Sequence, residues 1–313
     1  MTDLSKLDFT DAPSVLIFAD RAEERAIAAD VAIALGARII GVERIVDAME
    51  RLERQVAVDA LLIELTEDGG GEIDWLLGWA NAACRDGEAA IIVSFPVALI
   101  DRVMAAIDEP RVVLLCEPGL TERAGALGLA LARRRDVLHD HGTESDAERL
   151  RRLSEEVARI AGALSDMSSA ARGLAEVPLQ PLGGMVEQAR LSPQTVRQMI
   201  RLRRMRGQFF PDELFADPAW DMMLDLTAAR LEGHSVAVSS LCIAAAVPPT
   251  TALRWIRTLT EKGLFVRRAD PGDGRRIFIQ LSDAAAVAMN GFFAQAQALG
   301  WRPEGRRALS GRG

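Results

Sequence analysis

From Val15 to Ala132 the chain alternates short, continuously apolar runs with stretches whose apolar residues recur every three or four positions. The runs are Val15–Ala19, Ala37–Val42, Ala60–Leu65, Ala89–Phe95 and Arg111–Cys116. Strands that are apolar on both faces are strands covered on both faces, the habit of parallel sheets. The intervening segments, such as Ala22–Leu35 and Arg44–Gln55, place apolar residues at i, i+3, i+4 with charge opposite, the mark of amphipathic helices. The pattern predicts an α/β domain over residues 1–142, a doubly wound five-stranded parallel sheet with five helices.

The period then changes. From Asp146 to Leu174 the apolar positions are Leu150, Leu153, Val157, Ile160, Leu164, Met167, Ala171 and Leu174, with spacings alternating between three and four. A stripe this narrow, flanked by Arg149, Arg151, Arg152, Glu155, Glu156 and Arg159, predicts a two-stranded coiled coil within residues 143–185, with Leu150 to Met167 as its dimer seam. Val177–Gly184, rich in Pro and Gly, ends it and makes a joint.

Beyond the joint, Ser192-Pro193 and Asp217-Pro218 read as N-caps followed by proline at the first helical position. Gly233 stops the second of these helices. A short helix from Ser239 or Ser240 to Ala246, a turn at Val247-Pro248-Pro249 and a helix from Thr250 to Lys262 follow. Two β-type runs, Leu264–Arg268 and Arg276–Leu281, flank Pro271, Gly272 and Gly274, the residues of a hairpin tip. This order over residues 186–300 is that of a winged helix-turn-helix, an α+β unit. Residues 301–313, Gly- and Arg-rich, read as a disordered tail.

Charge sharpens the division. The chain of 313 residues carries a net charge of −8, but residues 1–142 hold 14 basic and 26 acidic side chains, residues 143–185 hold 5 and 7, and residues 186–313 hold 18 and 12. An acidic front and a basic back fit a nucleic-acid-binding unit carried by a regulatory one. No run reaches the roughly 20 apolar residues of a membrane span, and Met1–Phe9 has no signal-peptide core, so the expectation is a cytoplasmic protein without membrane contact. Cys84, Cys116 and Cys242 lie far apart without a CxxC pair, and His139 and His141 have no further His or Cys nearby. Neither a disulfide framework nor a metal centre is expected. A P-loop, a GxGxxG after the first strand and a Ser-His-Asp set are all missing, so the expectation is a non-enzymatic chain without a cofactor.

Two resemblances add to this reading. Over about 120 residues, and by pattern more than identity, the front half resembles a response-regulator receiver domain. The resemblance sets Asp20 in the acidic pair, Glu64 at the phosphoacceptor, Ser94 at the hydroxyl position and Glu117 in place of the lysine. Phosphoryl transfer depends on charge neutralisation. Three carboxylates without the lysine predict a vestigial pocket that repels a phosphoryl group, within a domain kept for dimerisation or docking. A divalent cation on those carboxylates is the weaker alternative.

Thr250–Asp283 resembles the recognition helix and wing of the MarR family of transcriptional regulators, most specifically at Glu261-Lys262-Gly263-Leu264 and at Asp273, Arg275 and Arg276. Pro248-Pro249 departs from the small polar residues usual before that helix. A helical wheel buries Ala252, Ile256 and Leu259, with Trp255 half in, and turns Thr250, Thr251, Arg254 and Arg257 outward behind Pro249. Hydroxyls bond phosphates or base edges, and an arginine fork matches the O6/N7 edge of guanine. Arg275 is assigned to a narrow minor groove, Arg276 to phosphate, and Asp273 to bracing the tip. Arg197–Arg206 suits a surface or dimer rim at least as well as phosphate, Trp220, Met222, Met223, Leu224 and Leu226 read as core, and Cys242 reads as a buried thiol.

The leading expectation is therefore a homodimeric, sequence-specific regulator of double-stranded DNA. The alternative is a scaffold whose winged helix binds a protein. A regulatory protein or small ligand between the domains stays open.

Overall fold

The computed structural model describes residues 12–54, 57–139, 191–210 and 215–301. The heptad positions Leu150, Leu153, Val157, Ile160, Leu164 and Met167, the joint after them, His141 and the tail beyond Trp301 lie outside the described residues.

The front lobe is β1 (Ser14–Ala19), α1 (Ala22–Ala34), β2 (Arg38–Glu43), α2 (Ala48–Glu53), β3 (Ala60–Glu64), α3 (Gly71–Arg85), β4 (Ala90–Phe95), α4 (Ile100–Ala106), β5 (Val113–Cys116) and α5 (Leu120–His139). The five strands are parallel, in the order β2-β1-β3-β4-β5. Alternate residues of each strand point to opposite faces, and both faces are covered. Leu16, Phe18, Leu61, Ile63, Ile91 and Val93 pack with Leu76, Leu77, Ile100 and Val103 of α3 and α4. Val15, Ile17, Ala60, Leu62 and Ile92 pack with Ala28, Val31, Leu127 and Leu131 of α1 and α5. Leu16, Ile17 and Phe18 are wholly buried, and each such side chain contributes about 1.5–3 kcal/mol. The unbroken apolar runs of β1, β3, β4 and β5 thus have the cause the sequence suggested, whereas the run of β2, at the edge of the sheet, is half-buried or exposed, with Val42 39% exposed.

The back lobe is α6 (Pro193–Met205), α7 (Pro218–Glu232), β6 (Val236–Ala237), α8 (Val238–Ala244), α9 (Pro249–Glu261), β7 (Phe265–Ala269), β8 (Ile277–Leu281) and α10 (Asp283–Ala298). Both Ser-Pro and Asp-Pro signals open helices. Ser192 Oγ accepts from the Thr195 amide at 3.3 Å and Asp217 Oδ1 from the Trp220 amide at 3.2 Å, each with proline in the first turn. Gly233 and Gly263 end α7 and the turn after α9 with φ of 75° and 69°, a left-handed conformation that suits glycine. The hairpin β7–β8 is joined by β6 into an antiparallel sheet of order β6-β8-β7. Strand β6, two residues long, has no sequence signal of its own and forms because Val236 pairs with Ile279. Met222, Leu224 and Leu226 are core, while Trp220 and Met223 pack against it half-buried.

The chain segments on either side of residues 133–186 belong to one compact unit. A single apolar cluster runs from Ile100, Val103, Met104, Ile107 and Leu114 of the front lobe into Val238, Leu241, Cys242, Leu253 and Ile256 of the back lobe. Helix α4 packs on α8 and β8, and β5 packs on α9. This docking of one lobe on the other carries no signature in the sequence.

Candidate nucleic-acid interface

Helix α9 is amphipathic, as its spacing requires. Ala252, Leu253, Ile256 and Leu259 are at most 4% exposed, and Trp255 is 38% exposed. Leu253 is a core residue that the wheel from sequence did not single out. The polar side does not form one free face. Thr251 and Arg254 are exposed and Pro249 is half-buried, but Thr250 is buried and Arg257 is largely enclosed. The expectation that Thr250 and Arg257 stand outward with the others is corrected on this point.

The cause is the front lobe. Thr250 Oγ1 accepts from the Cys116 amide at 2.9 Å and its hydroxyl contacts the Cys116 carbonyl at 3.2 Å, so the first turn of α9 is pinned to the end of β5. Arg257 Nη1 donates to the carbonyls of Pro110 and Val112, while its buried Nη2 has no partner among the described residues. Burial, with Arg267 nearby, lowers the Arg257 guanidinium to about 10. Arg267 of β7 reaches the carbonyls of Met104 and Ile107, the latter at 3.3 Å. Ser239 of α8 donates through its amide (3.0 Å) and hydroxyl (2.6 Å) to the Asp101 carboxylate on α4. Between these contacts lies a cleft of about 410 Å³ lined by Val97, Ile100, Cys242, Val247 and Pro249 among others.

The wing tip is built by its own backbone. Asp273 Oδ1 accepts from the Arg275 amide at 3.0 Å and Asp270 Oδ1 from the Gly272 amide at 2.8 Å, an arrangement that closes the turn and supports the bracing role expected of Asp273. Arg275 and Arg276 are both exposed. Arg275 Nε nonetheless lies 3.3 Å from Asp74 on α3, whose other oxygen is held by Arg102 at 2.8 Å. On α6, Arg197 pairs with Asp225 (3.1 Å) and Glu232 (2.8 Å), and Arg203 with Asp221 (2.6 Å). These two arginines tie α6 to α7 and are structural.

The receiver-like positions of the front lobe are rearranged. Asp20 accepts from the Thr66 amide (2.8 Å) and hydroxyl (3.0 Å) and the Glu67 amide (3.1 Å), so it shapes the loop after β3. Glu64 is 3% exposed, bonded by the Ser94 hydroxyl at 3.1 Å and ion-paired with Arg123 of α5, which also holds Glu24 at 3.0 Å. Burial pushes the Glu64 carboxyl up to about 7, against the opposing pull of Arg123 and Ser94. Glu117, with φ of 51°, is exposed. The expectation that Glu117 sets a third carboxylate beside Asp20 and Glu64, with no cation there, is therefore corrected: Glu117 faces solvent, and Arg123 brings a cation to Glu64. Nothing in the spacing marked Arg123, because a residue on α5 meets β3 only through the tertiary packing. No group of three or more His, Cys, Asp or Glu able to hold a metal occurs among the described residues. Cys84, Cys116 and Cys242 are buried free thiols, and burial raises Cys116 to about 11 and Cys242 to about 12. No described helix is long and apolar enough to cross a membrane.

No family model and no curated protein matches the chain. Among solved structures it is similar to a probable transcriptional regulator from Pseudomonas aeruginosa, at 24% identity over 34% of this chain and 79% of that one, with a TM-score of 0.22. It is similar also to MepR of S. aureus in complex with DNA, at 18% identity, 34% and 85% coverage and a TM-score of 0.25. A third is BpsR of Bordetella bronchiseptica, whose DNA binding is regulated by 6-hydroxynicotinic acid, at 23% identity, 34% and 83% coverage and a TM-score of 0.22. At these identities and TM-scores, what the chain does has to be read from its own residues.

Proposed function

We propose that the chain is a homodimeric, sequence-specific DNA-binding transcription regulator of the cytoplasm, without enzymatic activity, whose front lobe is a phosphorylation-incompetent receiver-like domain used for docking or dimerisation. One observation carries the reading. A helix with a buried apolar face leaves Thr251 and Arg254 exposed and is followed by a braced hairpin that exposes Arg275 and Arg276. A helix of this size fits the major groove, where an arginine fork reads guanine, and a basic hairpin beside it reaches backbone or minor groove. Thr250, Arg257 and Pro249 join this surface when the front lobe does not occupy it.

Dimerisation is supported by exposed apolar side chains at the end of α6 and just beyond it, Leu202, Met205, Phe209 and Phe210, and by Phe292 and Leu299 at the last helix. Isolated exposed apolar residues are ordinary, but a group this dense marks an interaction surface. The heptad stripe of residues 150–167 supports the same conclusion. The incompetence for phosphorylation rests on Glu64, which is buried and ion-paired rather than an accessible aspartate.

Selection of bound fragments from genomic DNA, followed by mobility shifts over a range of salt, tests the proposal. The expected result is enrichment of a paired half-site about one helical turn apart. Failure to enrich any sequence, together with no retention of duplex at low salt, overturns it in favour of a protein-binding scaffold.

A further inference from the structure

The contacts that hold α9 lie on the side of the helix that a duplex would need. In helix-turn-helix docking the N-terminal residues of the recognition helix enter the groove. Here that end is pinned to β5 by Thr250. About two turns further on, Arg257 is turned into the carbonyls of Pro110 and Val112. Arg267 is committed to the end of α4, and the wing's Arg275 faces Asp74. Backbone carbonyl oxygens of the front lobe, and the carboxylate of Asp74, thus meet arginines of α9 and the hairpin.

We propose that the front lobe and DNA compete for one surface, so that the docked arrangement is the closed, low-affinity form and tight binding requires the lobes to part. This rests on the reading of the back lobe as a DNA reader and adds its regulation. Two independent features carry it. The first is steric, since Thr250 in the first turn of α9 is buried against the end of β5. The second is electrostatic: arginines of the reading helix and hairpin are matched by oxygen acceptors from a domain with 26 acidic and 14 basic residues in positions 1–142.

The match is incomplete in a way that suits exchange. Arg257 is charged, largely enclosed and bonded only to carbonyls, with one nitrogen unpartnered. A guanidinium in that state gains more from a phosphate or a guanine edge than from the groups it leaves. When only a fraction of molecules is open, the apparent dissociation constant is the intrinsic one divided by that fraction. A molecule that engages the α4–β5 side of the front lobe therefore raises DNA affinity, and one that tightens the seam lowers it.

The Asp101–Ser239 contact offers a test outside the reading surface. The full chain with Asp101→Cys and Ser239→Cys is joined by a short, reducible bifunctional thiosulfonate, to which the three buried native cysteines are protected. The probe is the duplex enriched from genomic DNA, and the affinity is measured before and after reduction. We expect the crosslinked protein to bind at least tenfold more weakly and reduction to restore binding. Asp101→Ala, which removes both bonds from Ser239, should bind about three- to tenfold more tightly than the unaltered chain. Equal affinity of crosslinked and reduced protein for a duplex that both bind overturns the competition and leaves the DNA reading intact. Failure of every form, reduced and Asp101→Ala included, to bind any duplex overturns the DNA reading and this inference with it.

Discussion

Two half-buried arginines divide the molecule. Arg123 in the front lobe and Arg257 in the back lobe are both largely enclosed, yet they are held differently. Arg123 lies between two carboxylates, Glu64 and Glu24, and Glu64 is completed by the Ser94 hydroxyl. Arg257 has carbonyl acceptors only, and one buried nitrogen remains unpartnered. An enclosed charge in a direct ion pair with satisfied hydrogen bonds is a closed arrangement, whereas one with no carboxylate in direct contact is costlier to keep. The first belongs to the permanent architecture of its lobe. The second is better explained by what it can bind when the lobes part.

Replacing each arginine by an apolar side chain of similar length should separate the two most sharply. Above pH 7, where Glu64 is ionised, Arg123→Met leaves that carboxylate buried without its cation and should cost about 3–5 kcal/mol, read by urea denaturation monitored in the front lobe. Arg257→Met removes a half-satisfied charge and should cost less than about 1 kcal/mol or stabilise, while weakening binding to the enriched duplex. Equal losses of stability would erase the distinction between the two sites.

The pH dependence of stability probes the same contrast. Glu64 is raised in the folded chain from its ordinary 4.5 to about 7, so between those values the folded state holds a proton that the unfolded state has released. Its contribution is present below about pH 4.5 and is lost as the pH rises through about 7, a span worth a few kcal/mol at about 1.4 kcal/mol per unit. Glu64→Gln, neutral at every pH, should flatten that slope. Arg257, lowered only to about 10, stays charged throughout this window and should leave the slope unchanged when replaced by Met.

On the exposed side of α9 and the hairpin, the surface proposed to meet DNA, the expected effects are smaller. Arg254→Ala should cost about 1–3 kcal/mol on the specific duplex and relax the preference at one base position per half-site, which titrations against specific and scrambled duplexes would measure. An equal loss on both would move Arg254 from base edge to backbone. Arg276→Ala should weaken all duplexes alike and reduce the dependence of log affinity on log salt by about one unit. The smallest of these changes still distinguishes a phosphate contact from a solvated hairpin tip.

Much of the architecture is legible in the sequence. The continuous apolar runs of β1, β3, β4 and β5 name strands covered on both faces, because a residue pointing to either side of a buried parallel sheet must be apolar. Ser192-Pro193, Asp217-Pro218, Gly233 and Gly263 fix helix ends, since capping and left-handed geometry are properties of single residues and their immediate neighbours. The buried face of α9 follows from its spacing, with Leu253 the residue missed. Asp273 as the brace of the wing tip was also readable, because its bond closes within two residues.

What the sequence could not decide was which lobe meets which. Whether Thr250 and Arg257 face solvent depends on β5 and on the backbone between α4 and β5, more than 130 residues earlier in the chain. Likewise Glu64 reads as an uncompensated carboxylate until α5 brings Arg123 to it across 59 positions. Periodicity reports the face of an element that is apolar, but a polar side chain bound by a distant carbonyl looks in sequence like one bound by water. The chain by itself therefore determined two folds and a charge asymmetry between them. Only the tertiary structure showed that the acidic lobe rests on helix α9 of the basic lobe, because that contact is made of hydrogen bonds and long-range packing that leave no local period.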